Sequence, residues 1–436
     1  MHNVECTGLA QTIFIGPRRK LPAPPRAAIL SCSLTHPRRD ILPKLTGVSD
    51  ILSGVEPNRM ESYLNAEISA SAVAANLALL RGLLAPGVKL CAVVKADCYG
   101  HGLSLLLGTL AGAADCLAVA TPEEAIALRQ MGYQRPILMF FSACALSGGQ
   151  DRQDALTELI ARNVTLTVTS QAELEAVGQA AGKLGAEAFV HVKIDSGMGR
   201  GGVPADGAGP LIHQARRQQG VKLTGLYTHL ATADEADKGY AREQLKRFLA
   251  AVESSGGRKG LVLHAANSAA TIDMPETHLD MVRPGIAVYG YQPSDDMHKR
   301  LPLRPALRLT GKLMQIKSLP AGSRCGYGLT HTFGRPSRVG IVPVGYADGY
   351  FRCLSNRATM RVAGRDVPVC GRVSMDQVII DLTDVPSAAI GDDVEIISPD
   401  PAAPHSVAGL ARLAGTIPYE ITCRLGKRLR RTLVDD

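Results

Sequence analysis

The stretch "KLCAVVKADCYGHG", residues 89–102, runs apolar from Leu90 to Val94, stops on one cation, Lys95, and turns at once polar and glycine-rich. A short continuous apolar run of this kind reads as a buried strand. A surface lysine needs no hydrophobic strand to aim it, so the cation at the strand's end is the feature to explain.

Working outward, seven more runs of the same kind follow: "DCLAVATP", "RPILMFF", "VTLTVTS", "AFVHVKIDSG", "KLTGLYTHL", "GLVLHAANS" and "LDMVRPGIAVYG". Helical stretches separate them, and "SASAVAANLALLRGLL" before them also has helical spacing, ending at "APG". Thr121 with Glu124, and Ser170 with Glu173, have the spacing of capping boxes at the starts of two of the helices. Eight strands alternating with helices predict a (β/α)8 barrel in the α/β class. An open doubly wound sheet gives similar alternation with fewer strands. After about residue 300 the alternation stops. "LTGKLMQIKSLPAG", "SRVGIVPVGYADG", "ATMRVAGRDVPVCGRVSMDQVIIDLTD" and "GDDVEIIS" read as strands with tight turns, "AGRD" among them, and "SVAGLARLAG" as a short helix. The expected organisation is an N-terminal extension over 1–60, a barrel over 61–298 and a mainly β domain over 299–436. The extension holds prolines and arginines without periodicity or a signal-peptide core, so it is expected to be poorly ordered, with Met60 a candidate start of the functional chain.

The chain of 436 residues is 46% hydrophobic and 20% charged, enough for two domains with a sizeable core. Its ten cysteines include no CxxC pair and several sit in apolar runs, which favours reduced, buried thiols and a cytoplasmic location over a disulfide frame or a zinc site; no metal is expected. The net charge of +8 is concentrated before residue 60 and in "RLGKRLRRTL". Without interleaved aromatics this reads as a solvated basic face, not a nucleic-acid surface, and it suits acidic small-molecule ligands. No run is long and apolar enough to span a membrane.

Barrel chemistry gathers at the carboxyl ends of the strands. Those ends carry Lys95, Lys193, His229, Asn267, Ser268 and Arg283. Desolvation lowers a lysine's pKa, which would let Lys95 form a Schiff base. The loops after strands seven and eight frequently bind phosphate in this fold. Here they supply the Ser268 hydroxyl and the N–H groups of Gly285 and Ile286, with no Gly285 side chain to block close approach. A phosphate seat beside a strand-end lysine points to pyridoxal 5'-phosphate (PLP). Taken singly, each residue also has a plain structural role: Gly285 makes a turn, His229 fills core, Lys193 pairs with Asp195, Arg200 clamps a loop, Met375 fills core and Tyr327 anchors a loop.

Taken together, "AVVKADCYGHG", "HVKIDSGMGRGG", "YTHLATAD", "HAANSAA", "MVRPGIAVYG", "GYGLTHTF", "VGYADGY", "GRVSMDQ" and "TIPYE" resemble the alanine racemase family in order and spacing, from about residue 62 to about 428. The resemblance implies a PLP-bearing barrel, a C-terminal β domain and a head-to-tail homodimer acting on a small-molecule substrate, alanine. It implies that Lys95 carries PLP and is one of two bases, and that Tyr327 is the other, supplied by the partner subunit. Tyr99, Ser268, Gly285, Ile286 and Tyr419 match the phosphate set. Arg283 matches the residue facing the pyridine nitrogen, and His229 a histidine packed on the ring. Arg200 matches an arginine near the phenolic oxygen and the substrate carboxylate, Met375 a backbone contact to that carboxylate, and Lys193 a lysine often carboxylated.

Racemisation removes the α-proton on one face and returns one on the other, which two bases on opposite faces do directly. Free tyrosine has a pKa of ~10, so a tyrosine base working near neutral pH needs positive charge or hydrogen bonds beside it. An arginine at the pyridine nitrogen does not readily give up a proton, which weakens the electron sink and disfavours transamination. The reaction would supply D-alanine for peptidoglycan or feed alanine breakdown. The alternatives are a related PLP racemase for serine or a broader amino-acid range, and a non-catalytic PLP-binding barrel; the latter's relatives lack the β domain and hence Tyr327.

Overall fold

The computed structural model describes residues 62–143 and 150–434, so the expected extension over 1–60 lies outside the described residues. In chain order, strand β1 (Leu64–Ser69) comes first. It is followed by β2 (Lys89–Val93), β3 (Cys116–Val119), β4 (Ile137–Ser142), β5 (Val164–Val168), β6 (Ala188–Asp195), β7 (Val203–Pro204), β8 (Val221–Tyr227), β9 (Val262–His264) and β10 (Met281–Val282). Eight of these form one parallel sheet in the order β10-β2-β3-β4-β5-β6-β8-β9, with the two-residue β7 appended to β6. The two edges meet: Asp280 N–H donates to the Leu263 carbonyl (3.0 Å) and Arg283 N–H to that of Ala266 (2.9 Å). All eight apolar runs are therefore barrel strands. Every residue of β3 is buried, as a strand covered by helices outside and side chains inside requires.

The Thr121 capping box forms in both directions ahead of the helix Pro122–Gln130. The Ser170 box forms only in half. Ser170 Oγ accepts from Glu173 N–H (3.3 Å), but the buried Glu173 carboxylate turns to Thr169 N–H and the Ser142 hydroxyl. A carboxylate enclosed between two strand ends takes its hydrogen bonds there.

The second sheet uses β11 (Leu307–Lys312), β12 (Gln315–Leu319), β15 (Ser337–Val342), β16 (Thr359–Val362), β17 (Arg365–Cys370), β18 (Val378–Asp381), β19 (Asp393–Ile397) and β20 (Arg430–Val434), while β13 (Arg324–Cys325) and β14 (His331–Thr332) make a separate ribbon. Its order is β12-β15-β18-β17-β16-β19-β11-β1-β20. Strand β1, which lies within the segment expected to be barrel, belongs here. It runs antiparallel to β11, with Ala66 opposite Leu309, and parallel to β20, with Ala66 opposite Arg431. Residues 66–69, which lead into the helical pattern, are strand up to Ser69. Ser69 then caps the helix Ala70–Arg81 by accepting from Ala72 N–H (3.0 Å).

The "AGRD" turn joins β16 to β17 through Ala363 (φ 48°) and Gly364 (φ 77°), with Val362 paired to Arg365. Two central residues at positive φ make this a type I′ hairpin, which favours asparagine or glycine at its first position. Ala363→Asn is expected to stabilise the protein by about 0.5–1 kcal/mol, seen as a higher denaturant midpoint with an unchanged slope. A lower midpoint would mean that the left-handed alanine is not strained.

The β domain also buttresses the barrel mouth. A side chain on Gly100 would sit 2.1 Å from the Thr422 carbonyl, so the helix Pro418–Cys423 lies directly on the loop that follows Lys95. Arg431 Nε–H donates to the Gly100 carbonyl (2.9 Å) from the other side. The seven cysteines among the described residues are free thiols, and none of the described helices is long and apolar enough to cross a membrane.

Candidate active site

A cavity of about 550 Å³ opens at the carboxyl ends of the barrel strands. Lys95, Tyr99, Lys193, Arg200, His229, Asn267, Ser268, Arg283, Gly285 and Tyr419 all line it. Val93, Ala120, Phe140, Phe141, Tyr227 and Cys423 complete its wall. The walls hold four basic side chains, Lys95, Lys193, Arg200 and Arg283, and no carboxylate among the described residues. A cavity of that make-up favours an anionic ligand.

Lys95 leaves β2 into a tight left-handed turn, with φ between 52° and 56° at Ala96, Asp97, Cys98 and Tyr99. Such a conformation costs L-residues about 1–2 kcal/mol each and persists only where its surroundings over-determine it. Here they do. Asp97 Oδ1 accepts from Leu103 N–H (2.6 Å), and the buried His101 holds Nδ1 within reach of the Cys98 and Tyr99 carbonyls (2.9 and 3.1 Å). Glu124 Oε1 accepts from Ala96 N–H (2.6 Å) while its Oε2 accepts from Ala120 N–H (2.8 Å). The capping glutamate thus also fixes the backbone next to Lys95.

Electrostatics favour a reactive amine. Burial, and then the Arg200 guanidinium, lower the Lys95 pKa. Burial followed by Arg200 and Arg283 lowers that of Lys193 to about 8. Burial brings Arg283 down to about 10, and burial with Arg283 keeps His229 neutral, at about 3. Asp195 opposes that lowering of Lys193 through its charge, but its own hydrogen bonds go to the backbone. Its Oδ1 accepts from Gly197 and Met198 N–H (3.0 and 2.8 Å) and its Oδ2 from Arg200 N–H (3.1 Å), which shapes the loop that presents Arg200.

At the opposite wall Ser268 Oγ accepts from Gly285 N–H (2.8 Å), and Asn267 caps the helix Ser268–Asp273 by accepting from Ala270 N–H (3.0 Å). Gly285 is required by close approach, because a Cβ there would lie 2.2 Å from the Tyr99 phenol oxygen. Tyr99 in turn packs 5.3 Å from the Tyr289 ring and 6.0 Å from that of Tyr419. Gly285→Ala is expected to push the Tyr99 phenol off this seat and weaken retention of a phosphate ligand by roughly tenfold, read by dilution or dialysis. Unchanged retention would show that the seat is not where the ligand anchors.

Three of the expected residues do not line the cavity. Ile286 is fully buried at the start of the short helix Ile286–Tyr289, leaving only its backbone as a possible contact. Tyr327 is 71% exposed and Met375 52% exposed, both on the β domain. Residues that the sequence reading did not single out also belong to the site. Tyr227 lies beneath Lys193 (5.8 Å) and Arg283 (5.3 Å), and the buried His264 bonds Arg283. Both lie inside the quoted runs: Tyr227 is two residues before His229, on the face that alternation shares with it, whereas His264 is three before Asn267, where alternation gives no pointer.

A barrel with a desolvated strand-end lysine, a mouth lined by basic side chains and an attached β domain is the architecture of the two-domain barrel racemases, and the comparisons agree. Residues 68–293 match the family described as "Alanine racemase, N-terminal domain", and residues 306–433 match "Alanine racemase, C-terminal domain". The chain belongs to the alanine racemase family. It is 40% identical over 375 residues to the alanine racemase of Desulfovibrio desulfuricans, covering 85% of this chain and 98% of that one. Among solved structures, it resembles alanine racemase of Clostridium difficile 630 (TM-score 0.80, 34% identity, 87% and 97% of the two chains covered). It also resembles the enzyme from D-cycloserine-producing Streptomyces lavendulae (TM-score 0.79, 35% identity, 86% and 97% covered).

Proposed function

We propose that this racemase interconverts L-alanine and D-alanine with PLP as its resident cofactor, with Lys95 as one base and Tyr327 of a second copy of the chain as the other. The observation that supports it best is the cavity itself, with Lys95 at one wall, the Tyr99 phenol brought close to Gly285 at the other, and four basic side chains with no carboxylate among the described residues that line it. That donor set fits a phosphate, a phenolic oxygen and a substrate carboxylate at once. When bound, PLP supplies the electron sink that makes the α-proton of an amino acid removable.

The chain's own groups divide the remaining work. Tyr99, Ser268, Tyr419 and the backbone at Gly285 and Ile286 would seat the phosphate. Arg283 would face the ring nitrogen as a donor that keeps its proton, limiting how much charge the ring accepts. Arg200 and the Met375 backbone would orient the substrate carboxylate. Lys95 Nζ would take or return the α-proton on one face, and the Tyr327 phenol on the other. Lys193, whose lowered pKa leaves more neutral amine near neutral pH, suits the carboxylation that would help position Arg200.

The dimer rests on the β domain. Tyr327, Leu329, Tyr346 and Met375 are all exposed large side chains there, and a head-to-tail partner would bury them while delivering Tyr327 to the cavity. The cytoplasmic location and the supply of D-alanine for peptidoglycan, or alanine breakdown, belong to the same reading. The test is a visible spectrum of the purified protein followed by chiral analysis of products from L-alanine, D-alanine and L-serine. Absence of cofactor absorbance would sink the reading, and equal turnover of serine would redirect the substrate.

A further inference from the structure

Arg283 is buried, and a guanidinium can only donate hydrogen bonds. Its acceptors are the carbonyls of Thr228 (2.8 Å) and Ala265 (3.1 Å) and Nδ1 of His264 (2.8 Å). The last contact dictates a tautomer. His264 Nδ1 must present a lone pair, so the single proton of this neutral ring sits on Nε2. Nε2 lies 2.9 Å from Nδ1 of His191, which must therefore accept.

We infer that His191 is a positioning residue: as the last acceptor of the buried series Arg283–His264–His191, it holds the tautomer of His264 and, through it, the guanidinium at the cavity wall. The packing supports that role. The His264 ring stacks on Tyr227 (4.8 Å, planes 6° apart), which sets its plane. The His191 ring fills the space above Gly225, where a Cβ would lie 2.6 Å from Nε2, so the imidazole is seated on that side too. Burial, then Arg283 and Lys89, push the His191 pKa down to about 3, so Nδ1 keeps its lone pair throughout the working range. If leucine replaced His191, the buried His264 N–H would lose its acceptor. Its proton could then move to Nδ1, where N–H would face N–H and drive Arg283 aside.

The step from Arg283 to the cofactor rests on the function proposed above; the tautomer does not. The test therefore uses two readouts on the full-length protein: 15N-histidine spectra, with the His264 signal assigned by its loss in His264→Asn, and release of PLP on dilution. Wild type is expected to show His264 unprotonated at Nδ1 and protonated at Nε2. His191→Leu should lose that pattern and release PLP about tenfold faster. His191→Asn, whose Oδ1 replaces Nδ1 as the acceptor, should restore both to within about twofold. A proton on His264 Nδ1 in wild type would overturn the inference even if the leucine variant failed to fold, and so would equal behaviour of the leucine and asparagine variants. A wild-type protein that binds no PLP would instead remove the proposed function and leave the tautomer result standing.

Discussion

Lys95→Ala is expected to remove the visible absorbance of bound cofactor and to lower alanine racemisation by at least about a thousandfold, because one side chain would both hold the cofactor and serve as a base. The reason lies in its surroundings. The amine stands at the end of a buried strand, its pKa lowered first by burial and then by Arg200, so a larger share of it is unprotonated and nucleophilic than for a surface lysine. The left-handed turn from Ala96 to Tyr99 and the Glu124 bond to Ala96 N–H hold the backbone beneath it. Circular dichroism would separate lost chemistry from lost fold. A Lys95→Ala protein that kept both absorbance and turnover would place the covalent attachment elsewhere, with Lys193 the next amine in the cavity.

Tyr327→Phe is expected to keep the absorbance while losing racemisation by roughly a hundred- to ten-thousandfold, the usual contribution of a positioned acid–base group. Tyr327 is largely exposed on its own chain and does not line that chain's cavity, so its function would depend on a second copy. Mixing the inactive Lys95→Ala and Tyr327→Phe proteins under conditions that exchange subunits should restore about a quarter of wild-type activity. Half of the dimers would be mixed, and each mixed dimer would carry one site with both bases. No restoration despite demonstrated exchange would mean that both bases act within one chain.

The barrel was legible because its signals are local. Eight apolar runs, each a few residues long, were enough to identify the strands, and the carboxyl ends of those strands pointed to Lys95, Lys193, His229, Asn267, Ser268 and Arg283, all of which line one cavity. Strand β1 was not legible. Its six residues lie against a helical pattern, and its partners in β11 and β20 come more than 230 residues later. Glu124 was read only as a capping residue, because nothing in its own neighbourhood shows that Ala96 N–H comes within 2.6 Å of its carboxylate.

The amino-acid order by itself thus determined which segments are the barrel strands, which of their ends carry amine, guanidinium and hydroxyl groups, and, through motif order, the family. Periodicity and spacing are short-range properties that a linear chain displays openly. Only the tertiary structure decided that these ends converge on one cation-lined cavity, that β1 stitches the β domain to the start of the barrel, and that Arg283 leans on two neutral histidines. Closing a barrel brings residues from separate strands within hydrogen-bonding distance, and where a buried donor finds its acceptor depends on that closure, not on separation along the chain.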